Sequence, residues 1–204
     1  MSPKKVINGT PMCYVCSIPR TGSTVCHQIA VELGFHVMRS HSSGDLITKC
    51  GKQHMIVTMR DPLDIALSAR KLSRKQGVNS FKFTMTAMKE FYRVRNDMCE
   101  KNEKLLMVRY EDYIHNPKQR IRDIAKFLGV SCSEERVDEI HEKTSIDRNK
   151  KIAEKFVDFN KWCKKSLIHG DHISDPYGEN RDLSLLDQST MELIHEWRRG
   201  WGYE

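Results

Sequence analysis

The sequence has no unbroken apolar run near the roughly 18 residues that a membrane span requires. It also has no Lys/Arg block, no internal repeat, and no Pro/Gly/Ser tract long enough to separate two domains. These absences exclude an integral membrane protein and predict one domain over residues 1–204. Met1 to Lys5 is followed by Asn8-Gly9-Thr10-Pro11 rather than by an apolar stretch and a small-residue cleavage site, so a secretory leader is not expected and the location is predicted to be cytoplasmic. The seven cysteines are an odd number spread along the chain, which argues against a disulfide framework and for a compartment that keeps thiols reduced. A Walker A loop, G-x-x-x-x-G-K-[ST], is missing.

What is present is ordinary for a globular domain: 204 residues, 39% hydrophobic and 30% charged. The net charge of +7 points to an anionic partner, whether a nucleotide, a sulfated or phosphorylated small molecule, a nucleic acid or an acidic surface. Scattered rather than clustered basic residues count against nucleic acid.

Short apolar runs at Met12 to Ile18, Phe35 to Met38, His54 to Met59 and Leu105 to Val108 each lead into a polar turn and read as buried strands. Cys13 and Cys16 form the one C-x-x-C pair. Residues three apart on a strand face opposite ways, so two buried thiols are expected rather than a metal or redox site. Between the strands lie helical patterns: Val25, Ile29 and Leu33; Ile65, Ala69 and Leu72; Ala87, Phe91, Val94 and Met98; and Ile121, Ile124, Ala125 and Leu128. Gln76 to Ser80 reads as an exposed loop. The charged stretch Asp147 to His169 is ambiguous, with helix expected around Phe156 to Trp162, and a last helix covers about Gln188 to Arg199 with Leu193, Trp197 and Trp201 on one core stripe. Strand and helix alternate, which predicts an α/β fold with a mostly parallel sheet flanked by helices and a ligand site at the carboxyl ends of the strands.

Cys16 to Thr24 leaves the first long strand and runs straight into a helix. Small and hydroxylated residues around one Gly let backbone N–H groups converge on an anion at a helix N-terminus, with Arg20 before the Gly. The plainer alternative is a strand-to-helix turn capped by Ser23. A second segment runs from Thr58 to Ser68. Arg60 is expected at the exposed carboxyl end of a strand, Asp61 caps, Pro62 suits the first helical turn, and Ser68 lies two turns on. An arginine and a hydroxyl there could meet one more phosphate; alternatively Arg60 only neutralises Asp61 or Asp64.

Taken in order, these motifs resemble the sulfotransferases that use 3′-phosphoadenosine 5′-phosphosulfate (PAPS), in both their cytosolic and Golgi branches. Pro19 to Thr24 resembles the family's phosphosulfate loop, and Arg60 with Ser68 its 3′-phosphate pair. Val108 to Asp112 with Asn116-Pro117 and Ile124 to Gly129 is similar to the strand and helix that follow, where the family's tyrosine, here Tyr110, lies near adenine. His172-Ile173-Ser174, Gly178 and Gly202-Tyr203 are similar to weaker C-terminal features. The resemblance covers about residues 12 to 130 well and the rest loosely.

The resemblance implies a P-loop-like fold, PAPS as donor, PAP as product and no required metal. It places Arg20, Thr21, Gly22, Ser23 and Thr24 on the phosphosulfate, Arg60 and Ser68 on the 3′-phosphate, and Tyr110 by the base. Arg39-Ser40-His41 resembles the basic-x-His segment of the cytosolic branch, so His41 is the candidate general base and Arg20 the second catalytic residue, with Asp45 the carboxylate alternative. The acceptor is expected to be a small molecule, glycan or peptide carrying a hydroxyl or amine. Two departures stand out: Val25 occupies the place of a base-stacking tryptophan, and the C-terminal basic-Gly segment is not clear, although Lys164, Lys165 and Arg181 are nearby. His169, Asp171, His172 and Asp175 form a weak metal-like cluster, and Trp197 and Trp201 fit a core better than a ligand box. The rival readings are a P-loop phosphotransferase and a nonenzymatic polyanion-binding module.

Overall fold

A computed structural model describes residues 6–7, 10–49, 52–77, 79–99, 103–156, 161–163, 166–170 and 181–204. Its centre is a parallel sheet in the order β3-β2-β4-β5, formed by β3 (His36–Ser40), β2 (Thr10–Ser17), β4 (His54–Met59) and β5 (Leu105–Arg109). A short β1 (Val6–Ile7) adds antiparallel to the start of β2. The register sets Ser17 beside Thr58 and Met59 beside Arg109, so β2, β4 and β5 end at one edge. The strand positions expected from the sequence are borne out, and the parallel pairing follows from the helices that separate the strands.

Alternation along the strands feeds two cores. Cys13 and Val15 of β2 and Ile56 of β4 pack on one face with Ile29, Ile121, Ile124, Leu128, Val137 and Ile140. Cys16, Met55, Val57 and Met59 pack on the other with Ile65, Met88, Phe91, Trp197 and Trp201. The C-x-x-C pair is thus divided between the two faces, both thiols buried and neither in a disulfide. Burial pushes the Cys13 and Cys26 thiols up to about 12, so neither is a nucleophile at neutral pH.

The first face carries α1 (Ser23–Glu32), α5 (Tyr110–His115), α6 (Pro117–Leu128), α7 (Glu134–Thr144) and α8 (Ile146–Ala153). The second carries α2 (Ser43–Lys49), α3 (Pro62–Gln76), α4 (Ser80–Cys99) and α9 (Gln188–Trp201). A β6 (Trp162–Cys163) to β7 (Ile168–His169) hairpin packs on α8. Helix boundaries follow local chemistry: Asp61 caps α3 by accepting from Leu63 N at 2.9 Å, Pro62 sits at its first turn, and Gly77 closes it with φ 63°.

Two expectations are corrected. Trp162 lies in β6, and the helix of the charged stretch is α8, which ends at Ala153; residues 157–160 lie outside the described residues. On α9 the buried stripe is Ile194, Trp197 and Trp201, while Leu193 is 37% exposed. Leu193 and Ile194 both fit a helical spacing to Trp197, and α9 turns the second toward α3 and the first to solvent. Each buried Trp contributes on the order of 4 to 6 kcal/mol of transfer free energy as an upper bound. Among the described residues no helix is long and apolar enough to cross a membrane.

Candidate active site at the strand ends

β2 leaves the sheet at Ser17 and the chain turns through Ile18, Pro19 and Arg20 into α1. Gly22 is the N-cap, with φ 83° and no side-chain cap, which corrects the alternative in which Ser23 caps the helix. The N–H groups of Val25 and Cys26 both go to Gly22 O, at 3.0 and 3.5 Å, so the N–H groups before them stand outside the helical ladder and face the strand ends. No acidic residue sits in that first turn to occupy them. This is the geometry of an anion seat. A β-carbon on Gly22 would lie 2.5 Å from Tyr110 Cδ2, so glycine is required twice, for the left-handed φ and for the approach of the Tyr110 ring.

Thr21 departs from the expected binding role. Its hydroxyl donates to Ile18 O at 2.7 Å and meets Thr58 Oγ1 at 2.6 Å, and the residue is 1% exposed. Its side chain staples the loop to β4, and only its backbone is left for an anion. Ser23, Thr24, Gly22 and Arg20 do face a cavity of about 260 Å³, together with His41, Arg60, Ser68 and Tyr110. Eight of the nine residues singled out in the sequence therefore share one cavity.

Arg20 holds φ 72°, unusual for a residue with a β-carbon, and its Nε donates to Ser68 Oγ at 2.9 Å. That bond ties the loop to α3. Arg60 is not at an exposed position as the sequence implied. It is 6% exposed, its guanidinium lies 4.5 Å over the Tyr110 ring, and it approaches Asp64 at 3.8 Å. The extension of α3 directly from Asp61 folds Arg60 inward against α5.

His41 follows β3 and reaches across to β2. Its Nδ1 lies 2.8 Å from Ser17 O and 3.2 Å from Ser17 Oγ. A carbonyl oxygen only accepts, so Nδ1 carries the proton of the neutral ring and Nε2 presents its lone pair. Burial, with the nearby Arg39 cation, lowers the His41 pKa below its usual 6.5, against the opposing pull of the Ser17 carbonyl. The shift favours the neutral ring. Asp45 instead accepts from Ser40 Oγ at 2.5 Å and does not line the cavity.

Apart from Val25, the cavity has walls that the motifs did not reveal. On one side stand Val25, Tyr113, Ile146, Asn149, Ile168 and His169; on the other Leu72, Ser80 and Phe83. Phe83 is 58% exposed. Asn149 and Gln28 exchange amide hydrogen bonds at 3.0 and 3.2 Å, and Gln28 also donates to Ser166 O at 2.9 Å, locking α8 and the β6–β7 hairpin onto α1. Arg39 donates to Thr24 Oγ1 at 2.9 Å and lines the same space. A basic residue two before a strand-end histidine was the available signal for Arg39. The far walls had none, because α8 and the hairpin come from the charged segment. His172, Ile173, Ser174, Gly178, Lys164 and Lys165 lie outside the described residues, as do Asp171 and Asp175 of the metal-like cluster.

A family model described as a sulfotransferase domain matches residues 32–158, a span that includes Arg39, His41, Arg60, Ser68 and Tyr110 and begins after the Arg20 to Thr24 loop. No curated protein matches the chain. Among solved structures, it is similar to retinol dehydratase in complex with androsterone and inactive cofactor PAP, with TM-score 0.60 and 14% identity over 92% of this chain and 79% of that one. It is also similar to mouse sulfotransferase SULT7A1 complexed with PAP, with TM-score 0.62 and 13% identity over 91% and 82%. At such identities the likeness is one of fold.

Proposed function

The chain belongs to the sulfotransferase domain family, and on that premise we propose that it transfers a sulfuryl group from PAPS to a hydroxyl or amine acceptor, in line, with His41 as general base. The observation that carries this reading is the gathering of an uncapped helix N-terminus, Arg20, Arg60, Ser68 and a base-form imidazole around one cavity.

In this reading the N–H groups of Ser23 and Thr24, with Arg20, hold the 5′-phosphosulfate, and Arg60 with Ser68 holds the 3′-phosphate. PAPS supplies the sulfuryl group: the acceptor heteroatom bonds to sulfur as the bond from sulfur to the bridging oxygen of the 5′-phosphate breaks, leaving PAP. His41 Nε2 takes the acceptor's proton, and the Ser17 carbonyl keeps the resulting imidazolium oriented. Arg20 neutralises charge that grows on the leaving phosphate, the type of contact whose loss costs about 10² to 10³ in rate. Catalysis rests on position and charge, as in phosphoryl transfer.

PAP in both of these solved structures supports the choice of nucleotide, and Gly22 supports it from this chain's own geometry, since its left-handed N-cap leaves the first turn of α1 without a side-chain cap. The acceptor is a small molecule, glycan or peptide. Nucleic acid is not a partner in this reading, and the expected site of action is the cytoplasm. A thermal-shift comparison of PAP, ATP with magnesium, and an oligonucleotide tests it: a shift selective for PAP is expected. A larger shift with ATP and magnesium would replace it with a phosphotransferase, and a larger shift with the oligonucleotide with a polyanion-binding module.

A further inference from the structure

Behind Arg60 lies a group of buried charges that the transfer reaction does not use. Asp61 and Asp64, at the start of α3, are 5% and 8% exposed. Arg198 of α9 donates from Nε to Asp61 Oδ1 at 3.0 Å. Arg181 takes Asp64 with two bonds, Nε to Oδ1 at 2.9 Å and Nη2 to Oδ2 at 3.3 Å, and also lies 3.6 Å from Asp61 Oδ2. Glu111 accepts the Asp61 N–H at 2.8 Å and the Tyr203 hydroxyl at 3.2 Å. Each aspartate therefore has a nearer arginine than Arg60, whose Nη2 stands 3.8 Å from Asp64 Oδ2.

That order of distances matters for electrostatics. A carboxylate a few ångströms from Arg60, little screened because both groups are buried, would cancel the charge that a phosphate must find there. Arg181 supplies an equal and opposite charge to the same carboxylate in a two-bonded fork, the arrangement in which an arginine neutralises most effectively. Its guanidinium is correspondingly held more strongly protonated by Asp64. At 44% side-chain exposure Arg181 can be removed without opening the core.

We propose that Arg181 is a positioning residue for the second phosphate: by chelating Asp64 it keeps that carboxylate from neutralising Arg60, and so sets how strongly the site prefers a 3′,5′-bisphosphate nucleotide over a 5′-monophosphate. The proposal rests on the assignment of Arg60 to the 3′-phosphate. Arg181 acts through Asp64, and need not touch the nucleotide.

The test is calorimetric titration of the full chain with PAP and with AMP. Wild type is expected to prefer PAP; equal affinities would overturn the 3′-phosphate assignment itself and this proposal with it. Given that preference, Arg181→Ala is expected to lower the PAP to AMP ratio about five- to tenfold with AMP affinity nearly unchanged. Adding Asp64→Asn to Arg181→Ala is expected to restore the ratio, because no carboxylate remains to compete for Arg60. An unchanged ratio in Arg181→Ala would overturn the proposal while leaving the 3′-phosphate assignment standing. A loss that Asp64→Asn fails to restore would overturn it too, and would make Arg181 a direct phosphate ligand. Circular dichroism melting of each variant separates these outcomes from unfolding.

Discussion

Arg20 Nε and Ser68 Oγ meet at 2.9 Å across 48 residues of sequence, joining the strand-to-helix loop of β2 and α1 to the middle of α3. In the proposed reading each serves a different phosphate, and the bond between them would fix the distance between the two. Arg20→Ala is expected to depress turnover well beyond its effect on PAP affinity, because the charge it meets develops only as the leaving phosphate forms. Single-turnover rates at saturating PAPS, set against calorimetric PAP affinity, check this; equal losses would make Arg20 a ground-state ligand.

Arg60→Ala should weaken PAP binding by about 1 to 3 kcal/mol, the scale of a charge-assisted contact. Because Arg60 is buried against Tyr110 and Asp64, its removal should also lower the melting temperature, unlike that of a surface arginine. Unchanged PAP affinity would remove Arg60 from the site.

Gly22→Ala is expected to be the most damaging small substitution in the loop. It sets a β-carbon 2.5 Å from Tyr110 Cδ2 and forces alanine to φ 83°. The backbone conformation alone costs about 1 to 2 kcal/mol. Tyr110→Ala in the same chain relieves the clash and leaves the φ penalty, so thermal melts of the two single variants and the double variant should show partial rescue. Purely additive losses would mean that the ring does not press on the loop.

The pH profile follows from the direction of the His41 shift. Its pKa is lowered in the folded chain, so the neutral, base-competent form persists to lower pH, and the acid limb of kcat should fall below the usual 6.5. A limb at or above 6.5 would contradict the burial that the fold imposes on the ring. In His41→Ala the limb should vanish.

Much of this was legible in the sequence because strands buried on both faces are continuous apolar runs and because turn chemistry marks where they stop. β4 was read to the residue, and Asp61-Pro62 announced α3. What could not be read depends on tertiary direction. Thr21 and Ser23 are both small hydroxyl residues in one loop, yet only packing against Thr58 decides that the first faces inward. The wall of Ile146, Asn149, Ile168 and His169 comes from a segment whose charges obscure its period, and it is fixed by the distant partner Gln28. In the sequence Arg181 is one cation among several near the C-terminus; its pairing with Asp64 spans 117 residues.

His41→Ala tests the mechanism in one variant, since in the proposed reaction Nε2 meets the acceptor and not the nucleotide. A general base contributes about 10² to 10⁴ in rate, so turnover should fall by that factor with PAP affinity near native. More than about a tenth of wild-type turnover would send the proton elsewhere, with Asp45 next to be replaced.

Whether this cavity moves a sulfuryl group is decided by PAP release from sulfur-labelled PAPS in the presence of a panel of alcohols, phenols, sugars and amines, with label followed into the acceptor. Acceptor-dependent PAP formation is expected, matched mole for mole by labelled product and slowed about a hundredfold or more by Arg20→Ala or His41→Ala. Release of PAP that ignores the acceptor and persists in both variants, or no transfer to any class while ATP is consumed instead, would contradict it.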